Sequence, residues 1–197
     1  GMHPWKHQLE PQRMAEVAAA LDETGVDSIE FGHGNGMSGS SFQYGFGAAS
    51  DEEYIKAVTS AVNNTRLAFI TLPGIGTRET LKTARDYGVS IARIATQITE
   101  NDIAEQHIKM AREMGFEVRA VLPAAQPISV EATVEHARKS EQYGADVVYL
   151  LDGSGYMLPD QVHDRVRAMR DAVDIEIGFH GHNNLQLAVA NSLAAVD

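Results

Sequence analysis

His180 and His182 stand one residue apart at the end of an apolar run, in IGFHGHNNLQLAVANS (177–192). On a strand, residues i and i+2 point to the same side, so both imidazoles face one way. Two neutral imidazoles side by side can each give one nitrogen to a shared divalent cation. Gly181 between them adds no side chain to crowd that face. Two histidines completed by carboxylate and water suit Mn²⁺, Fe²⁺ or Zn²⁺, and a chain without cysteine offers no thiolate for a softer metal. A bare His-x-His is a weak motif. Its position at a strand end turns the balance from two surface histidines toward a metal half-site.

A carboxylate is expected to complete the set. Glu30 and Asp152 are the candidates, each at the end of an apolar run. Asp152 opens the polar turn DGSG and could equally cap the following helix, while Glu30 could pair with a basic group. His33, in the loop GHGNGMSG, is a substrate-facing candidate, as are Asp152, Ser154 and Asn183 in the later loops. His107, His136 and His163 fall on predicted helices and are expected on the outer surface. His3 and His7 sit in the opening GMHPWKH, where residue pattern alone assigns them nothing.

The elements that must position these residues follow a strand-then-helix rhythm. The strand candidates are Val26–Phe31, Leu67–Leu72, Ser90–Ala95, Glu117–Leu122, Asp146–Leu151 and Ile175–Phe179. From the second onward their starts lie roughly 23 to 30 residues apart, the spacing of βα units. A helix over Glu10–Thr24 precedes the first. Asp51, Thr77, Thr99 and Ser129 read as helix caps ahead of acidic first turns, and Gly25, Gly88, Gly115 and Gly144 read as helix ends. Strict alternation implies a parallel sheet. No G-x-G-x-x-G opens a helix after the first strand, so a TIM (β/α)8-type barrel is preferred to a doubly wound sheet. Six strands are fewer than eight. The chain is therefore expected to be a single partial barrel domain over residues 1–197 that lacks strands one and eight. Its loops after the strands hold most of the Gly, His, Asn, Ser and Asp, which places the site at the strand C-termini.

The bulk composition narrows the function classes. The chain has 197 residues, 44% hydrophobic and 22% charged, with a formal net charge of -11. An acidic chain with no basic cluster is a poor ligand for nucleic acid or an anionic membrane. No apolar stretch is long enough for a bilayer, and the N-terminus has no signal-peptide core, so cytoplasm is the default compartment.

Several segments resemble the 4-hydroxy-2-oxovalerate aldolases. They are VDSIEFGHGNGMSGSSFQYGFG, LPGIGT, RIATQITENDIAEQHIKMAREMG, DVVYLLDGSG and GFHGHNNLQLAVANSLAAV. These aldolases belong to a larger group that includes 3-hydroxy-3-methylglutaryl-CoA lyase and isopropylmalate synthase. The similarity runs over essentially the whole chain. The GSSFxYGFG loop and the HxHxNxxLxxANS segment are its specific parts. The resemblance implies a divalent-metal TIM barrel, usually holding Mn²⁺, that cleaves 4-hydroxy-2-oxoacids to pyruvate and an aldehyde in aromatic-compound catabolism. It implies that His180 and His182 are metal ligands. Gly1, Met2 and His3 align with the end of the family's Arg-Asp-Gly-x-His signature, which makes His3 the general acid/base. The family's arginine and metal-binding aspartate would fall immediately before Gly1, and its eighth strand and catalytic tyrosine beyond Asp197. An isolated chain of this extent is expected to be weakly active or inactive. The resemblance also implies a small 2-oxoacid substrate, an acylating acetaldehyde dehydrogenase as partner and a homo-oligomeric state. Three departures bear on substrate more than on reaction class: Asp152-Gly153-Ser154-Gly155 replaces Asp-Ser-Gly-Gly, Gln97 stands where the family has His, and VLPAAQPIS (121–129) replaces a methionine-rich stretch. The alternatives are another member of the superfamily, acting on acyl-CoA substrates, and an inactive barrel remnant.

Overall fold

Strands that are apolar on both faces suit a parallel sheet covered by helices, and the middle strands of this chain are of that kind. The structure is a computed structural model and describes residues 2–123, 125 and 127–197. In chain order the elements are α1 (Pro11–Asp22), β1 (Ser28–Glu30), α2 (Asp51–Thr59), β2 (Arg66–Thr71), α3 (Arg78–Asp86), β3 (Ile91–Ala95), α4 (Glu105–Glu113), β4 (Glu117–Pro123), α5 (Val130–Tyr143), β5 (Val147–Asp152), α6 (Pro159–Arg170), β6 (Glu176–Gly181) and α7 (Ala188–Ala194). Short 3₁₀ turns cover His3–Trp5 and Ile98–Ala104. The sheet order is β1-β2-β3-β4-β5-β6. A strictly sequential parallel order is that of a (β/α)8-type fold, whereas a doubly wound sheet reverses at a switch point. The expected incomplete (β/α)8-type architecture is the one observed.

The chain divides into two compact units. The first runs up to Arg93 and includes Glu113–Glu117; the second comprises Ile94–Arg112 and Val118–Asp197. In the first, β1 pairs with β2 in parallel, Ile29 opposite Leu67. The core is built from Met14, Ala18, Ile29, Tyr54, Ile55, Val58, Phe69 and Leu81, all buried. Each large apolar side chain so buried contributes about 1.5–3 kcal/mol. The Tyr54 hydroxyl keeps a partner in the core by donating to the Leu9 carbonyl at 2.7 Å.

In the second unit β4 pairs with β5 and β5 with β6, both parallel, with Leu122 opposite Leu150 and Leu151 opposite His180. Val118, Val121, Leu122, Val148 and Leu150 are buried, as are Ile108 of α4, Ala137 of α5, and Val162 and Met169 of α6. β6 ends the sheet order, and its residues are only half-buried or exposed.

Several boundaries differ from the sequence expectation. α1 begins at Pro11 with Glu10 as its cap, because proline is favoured at the first helical position. β1 is three residues long, within the expected Val26–Phe31. Ser50, not Asp51, caps α2: its side chain accepts from the Glu53 N–H while the Glu53 carboxylate takes the Ser50 N–H, a complete capping box. Thr99 caps nothing. It lies in the Ile98–Ala104 turn, where Glu100 leaves helical geometry at φ -114° and ψ 20°, and α4 starts only at Glu105. Thr77 and Ser129 cap α3 and α5 as expected. Gly25, Gly88, Gly115 and Gly144 all adopt positive φ at helix ends. The replacement stretch VLPAAQPIS includes Ala124 and Gln126, which lie outside the described residues, as does Gly1.

Candidate active site

β6 carries His180 as its fifth residue, and His182 follows one residue beyond the strand. Extended geometry brings the two rings together, with centroids 5.0 Å apart and planes at 82°. A Cβ at Gly181 would lie 2.8 Å from the Phe179 ring, so a side chain between the histidines would push that ring aside. His182 Nδ1 lies 2.6 Å from the Gly153 carbonyl. A carbonyl only accepts, so Nδ1 carries the proton and the Nε2 lone pair is left to bind a ligand. This is the backing that metal-ligating histidines regularly receive. Among the described residues no three His, Asp or Glu side chains are grouped to hold an ion. His180 and His182 stand together as a pair, with no third such side chain grouped beside them among the described residues.

Asp152 ends β5 and is fully buried. Its carboxylate accepts from the N–H groups of Gly155 at 2.9 Å, Tyr156 at 3.3 Å and Met157 at 3.0 Å. The same residue's carbonyl accepts the His182 N–H at 3.2 Å. Asp152 thus shapes the 153–157 turn whose Gly153 carbonyl orients His182. Ser154 and Asn183 are exposed in these loops. Asn183 Oδ1 accepts the Ala188 N–H at 3.1 Å and so starts α7. Asn191 on that helix, unassigned by the sequence reading, is buried and donates to the Met157 carbonyl at 2.9 Å, tying α7 to the turn after Asp152. Its place in the ANS of the resembling segment was the available signal.

In the first unit the sequence left His3, His7 and His33 scattered, and the fold gathers them. His7 stacks on His33 with centroids 3.7 Å apart, and His3 meets His7 edge-on at 5.1 Å. His7 is 5% exposed and His33 3%, while His3 is exposed. His33 Nδ1 accepts the Asn35 N–H at 3.1 Å, and Nε2 donates to the Gly45 carbonyl at 3.0 Å. Burial, then the neighbouring His33 and His3, push the His7 pKa below its ordinary 6.5.

Glu30, the other carboxylate candidate, is engaged with Arg93 at 2.5 Å. Of the helical histidines, His107 is buried and not on the outer surface, because α4 turns His107, Ile108 and Ala111 inward together. His136 and His163 are half-buried.

A sequential parallel βα chain with a histidine pair at the end of its last strand defines the class, a (β/α)8-type protein. The HMGL-like family model matches residues 1–197, and the chain belongs to that family. It is 57% identical to a 4-hydroxy-2-oxovalerate aldolase of Desulfitobacterium hafniense, over all of this chain and 59% of that protein. It is 50% identical to one from Pelotomaculum thermopropionicum, over all of this chain and 58% of that protein. The chain thus spans less than two thirds of the length of these curated relatives. Among solved structures, the N-terminal domain of a putative aldolase from Bacteroides vulgatus aligns over all of this chain and 66% of its own, with TM-score 0.80 and 23% identity. The carboxyl transferase domain of Rhizobium etli pyruvate carboxylase aligns over 96% of this chain and 35% of its own, with TM-score 0.80 and 19% identity. At these identities the structural likeness speaks to fold alone.

Proposed function

We propose that this chain serves a divalent-metal-dependent aldolase that cleaves 4-hydroxy-2-oxoacids, 4-hydroxy-2-oxovalerate among them, to pyruvate and an aldehyde. The observation that carries the metal part is the His180–His182 pair, with His182 backed through Nδ1 by Gly153. The relatives' shared name supports the substrate class. A divalent cation, Mn²⁺ by preference, would be held by His180 and His182 and supply Lewis-acid stabilisation of the negative charge that develops at the 2-oxo group. His3 takes the proton from the 4-hydroxyl as the C3–C4 bond breaks. The bonding pair passes toward the 2-oxo group, the aldehyde leaves, and a proton returned to C3 completes pyruvate. In this reading the exposed Ser154 and Asn183 touch substrate, the buried Asp152 holds the 153–157 turn, and the buried His33 holds its own glycine-rich loop.

The same proposal takes residues 1–197 as one domain, a reading supported by a family model that matches throughout. It includes a role in the breakdown of aromatic compounds, a cytoplasmic setting, a homo-oligomer and an acylating acetaldehyde dehydrogenase to receive the aldehyde. No described helix is long and apolar enough to cross a membrane.

Calorimetric titration with Mn²⁺, paired with a pyruvate-release assay, tests the proposal. Saturable binding is expected, weakened by at least ~10-fold in His180→Ala and His182→Ala. Binding that ignores both substitutions would overturn the metal assignment. Measurable pyruvate release that is as fast in the presence of a chelator as with Mn²⁺ would overturn the mechanism.

A further inference from the structure

His3 and His7 take hold of the two ends of one residue. His3 Nε2 lies 3.1 Å from the Gly34 carbonyl, and the Gly34 N–H donates to His7 Nδ1 at 3.3 Å. A carbonyl only accepts and an N–H only donates. Both rings are therefore set in the Nε2–H form, His3 with its lone pair on Nδ1 and His7 with its lone pair engaged by Gly34. The contact is close: a Cβ at Gly34 would lie 2.7 Å from His3 Nε2 and 2.8 Å from His7 Cε1, so a side chain there would displace the two rings. His7 is fixed from the other side by the His33 ring stacked on it, and His33 has both ring nitrogens bonded to backbone.

The chain accepts backbone strain to put His7 there. Lys6 and His7 are consecutive non-glycine residues at φ 50° and 61°, in the left-handed region. Such residues persist only where surrounding structure holds them, and they gather at functional sites. Here the His7 N–H donates to the Met2 carbonyl at 3.1 Å and its carbonyl accepts from Ala48 at 3.0 Å.

We propose that His7, acting through Gly34, is the positioning residue that holds His3 in the Nε2–H form, so that His3 Nδ1 is the atom that receives the substrate proton. This inference rests on the reading of His3 as acid/base. Its logic is a division of labour. The titratable groups facing His7 are His3 and His33, and the lowered pKa of His7 keeps the buried ring neutral. The incoming proton then has one place to go, the exposed His3. Loss of the His7 acceptor would release the Gly34 backbone from one side, and with it the hold on the carbonyl that selects the His3 tautomer.

The test is long-range ¹H–¹⁵N NMR of the imidazoles in the whole chain, alongside pyruvate release across pH. In the unmodified protein His3 and His7 are expected as Nε2–H tautomers at high pH. His7→Phe keeps a ring for stacking but removes the acceptor; His3 is then expected to become a mixture of tautomers, with kcat lowered about 10- to 100-fold and KM nearly constant. His7→Asn supplies an acceptor at the Nδ1 position and is expected to restore the His3 tautomer and most of kcat. An unmodified His3 in the Nδ1–H form overturns the proposal, as does a His3 signal indifferent to His7→Phe. Should His7→Phe fail to fold, the unmodified tautomer and His7→Asn decide. The underlying reading fails separately: if His3→Ala releases pyruvate normally, His3 is no acid/base, whatever its tautomer.

Discussion

Among the described residues the buried carboxylates of Asp22 and Asp152 each close a turn, and neither role is visible in residue type. Asp152 looked as fit to bind a metal as to cap a turn; the three N–H groups of Gly155, Tyr156 and Met157 converging on it assign the turn. Replacing it strands those donors in a buried place, and each stranded donor costs about 1–3 kcal/mol. Asp152→Ala is therefore expected to lower unfolding free energy by about 2–4 kcal/mol in urea titration, and to weaken Mn²⁺ binding because the Gly153 carbonyl loses its place. An unchanged midpoint would contradict this account. The histidine pair was legible because i, i+2 spacing on a strand is a local property. The His3–His7–His33 cluster was not, because His33 follows β1 while the other two precede α1.

Helix starts show where local chemistry misleads by one residue. Both Ser50 and Asp51 are good caps by type. The Glu at 53 stands three residues after Ser50, which completes the reciprocal box and settles the choice. Asp51 is thereby released to accept the Ser38 N–H at 2.6 Å, anchoring the glycine-rich loop, and burial pushes its pKa up. Ser50→Ala should cost about 1 kcal/mol of stability, read as a lower thermal midpoint, whereas Asp51→Asn should leave α2 intact and loosen amide-exchange protection at Ser38. The Ile98–Ala104 turn is the opposite case: its acidic opening resembles a helix start, but Gln97 gives no side-chain cap and Glu100 breaks the geometry. At the sheet end, β6 has a half-buried pattern because it has one strand neighbour, β5.

For the molecule as a whole, the titrating groups set how stability follows pH. Asp22 accepts backbone N–H bonds from Asn63, Asn64 and Thr65 at 2.9, 3.1 and 2.7 Å. These bonds, the Asn63 one foremost, hold its pKa down from 3.8 to about 2. A carboxylate depressed on folding contributes stability above its unfolded pKa, and this is lost as pH falls through the folded value. The loss attributable to Asp22 thus falls between about 4 and about 2. His7 and His136 are depressed by burial, so the unfolded chain protonates first and their contribution wanes as pH drops below 6.5. Asp51, raised by burial, acts in the opposite sense. Thermal melts against pH should show Asp22→Asn less stable than the unmodified chain at pH 7, with the difference vanishing near pH 2. A constant difference would refute the assignment.

The sequence by itself determined the strand-helix alternation, the parallel (β/α)8-type order, the caps at Thr77 and Ser129, the four glycine helix ends, and the histidine pair at the end of β6. All of these are written in short-range patterns: apolar period, capping type, i, i+2 spacing. Tertiary structure decided what distant segments do to one another within each unit. It stacked His7 on His33, engaged Glu30 with Arg93, turned His107 inward and gave Asp22 and Asp152 their turns. Such contacts depend on which faces of separate elements meet, and that is set by packing the whole core, not by the residues' own neighbours in the chain.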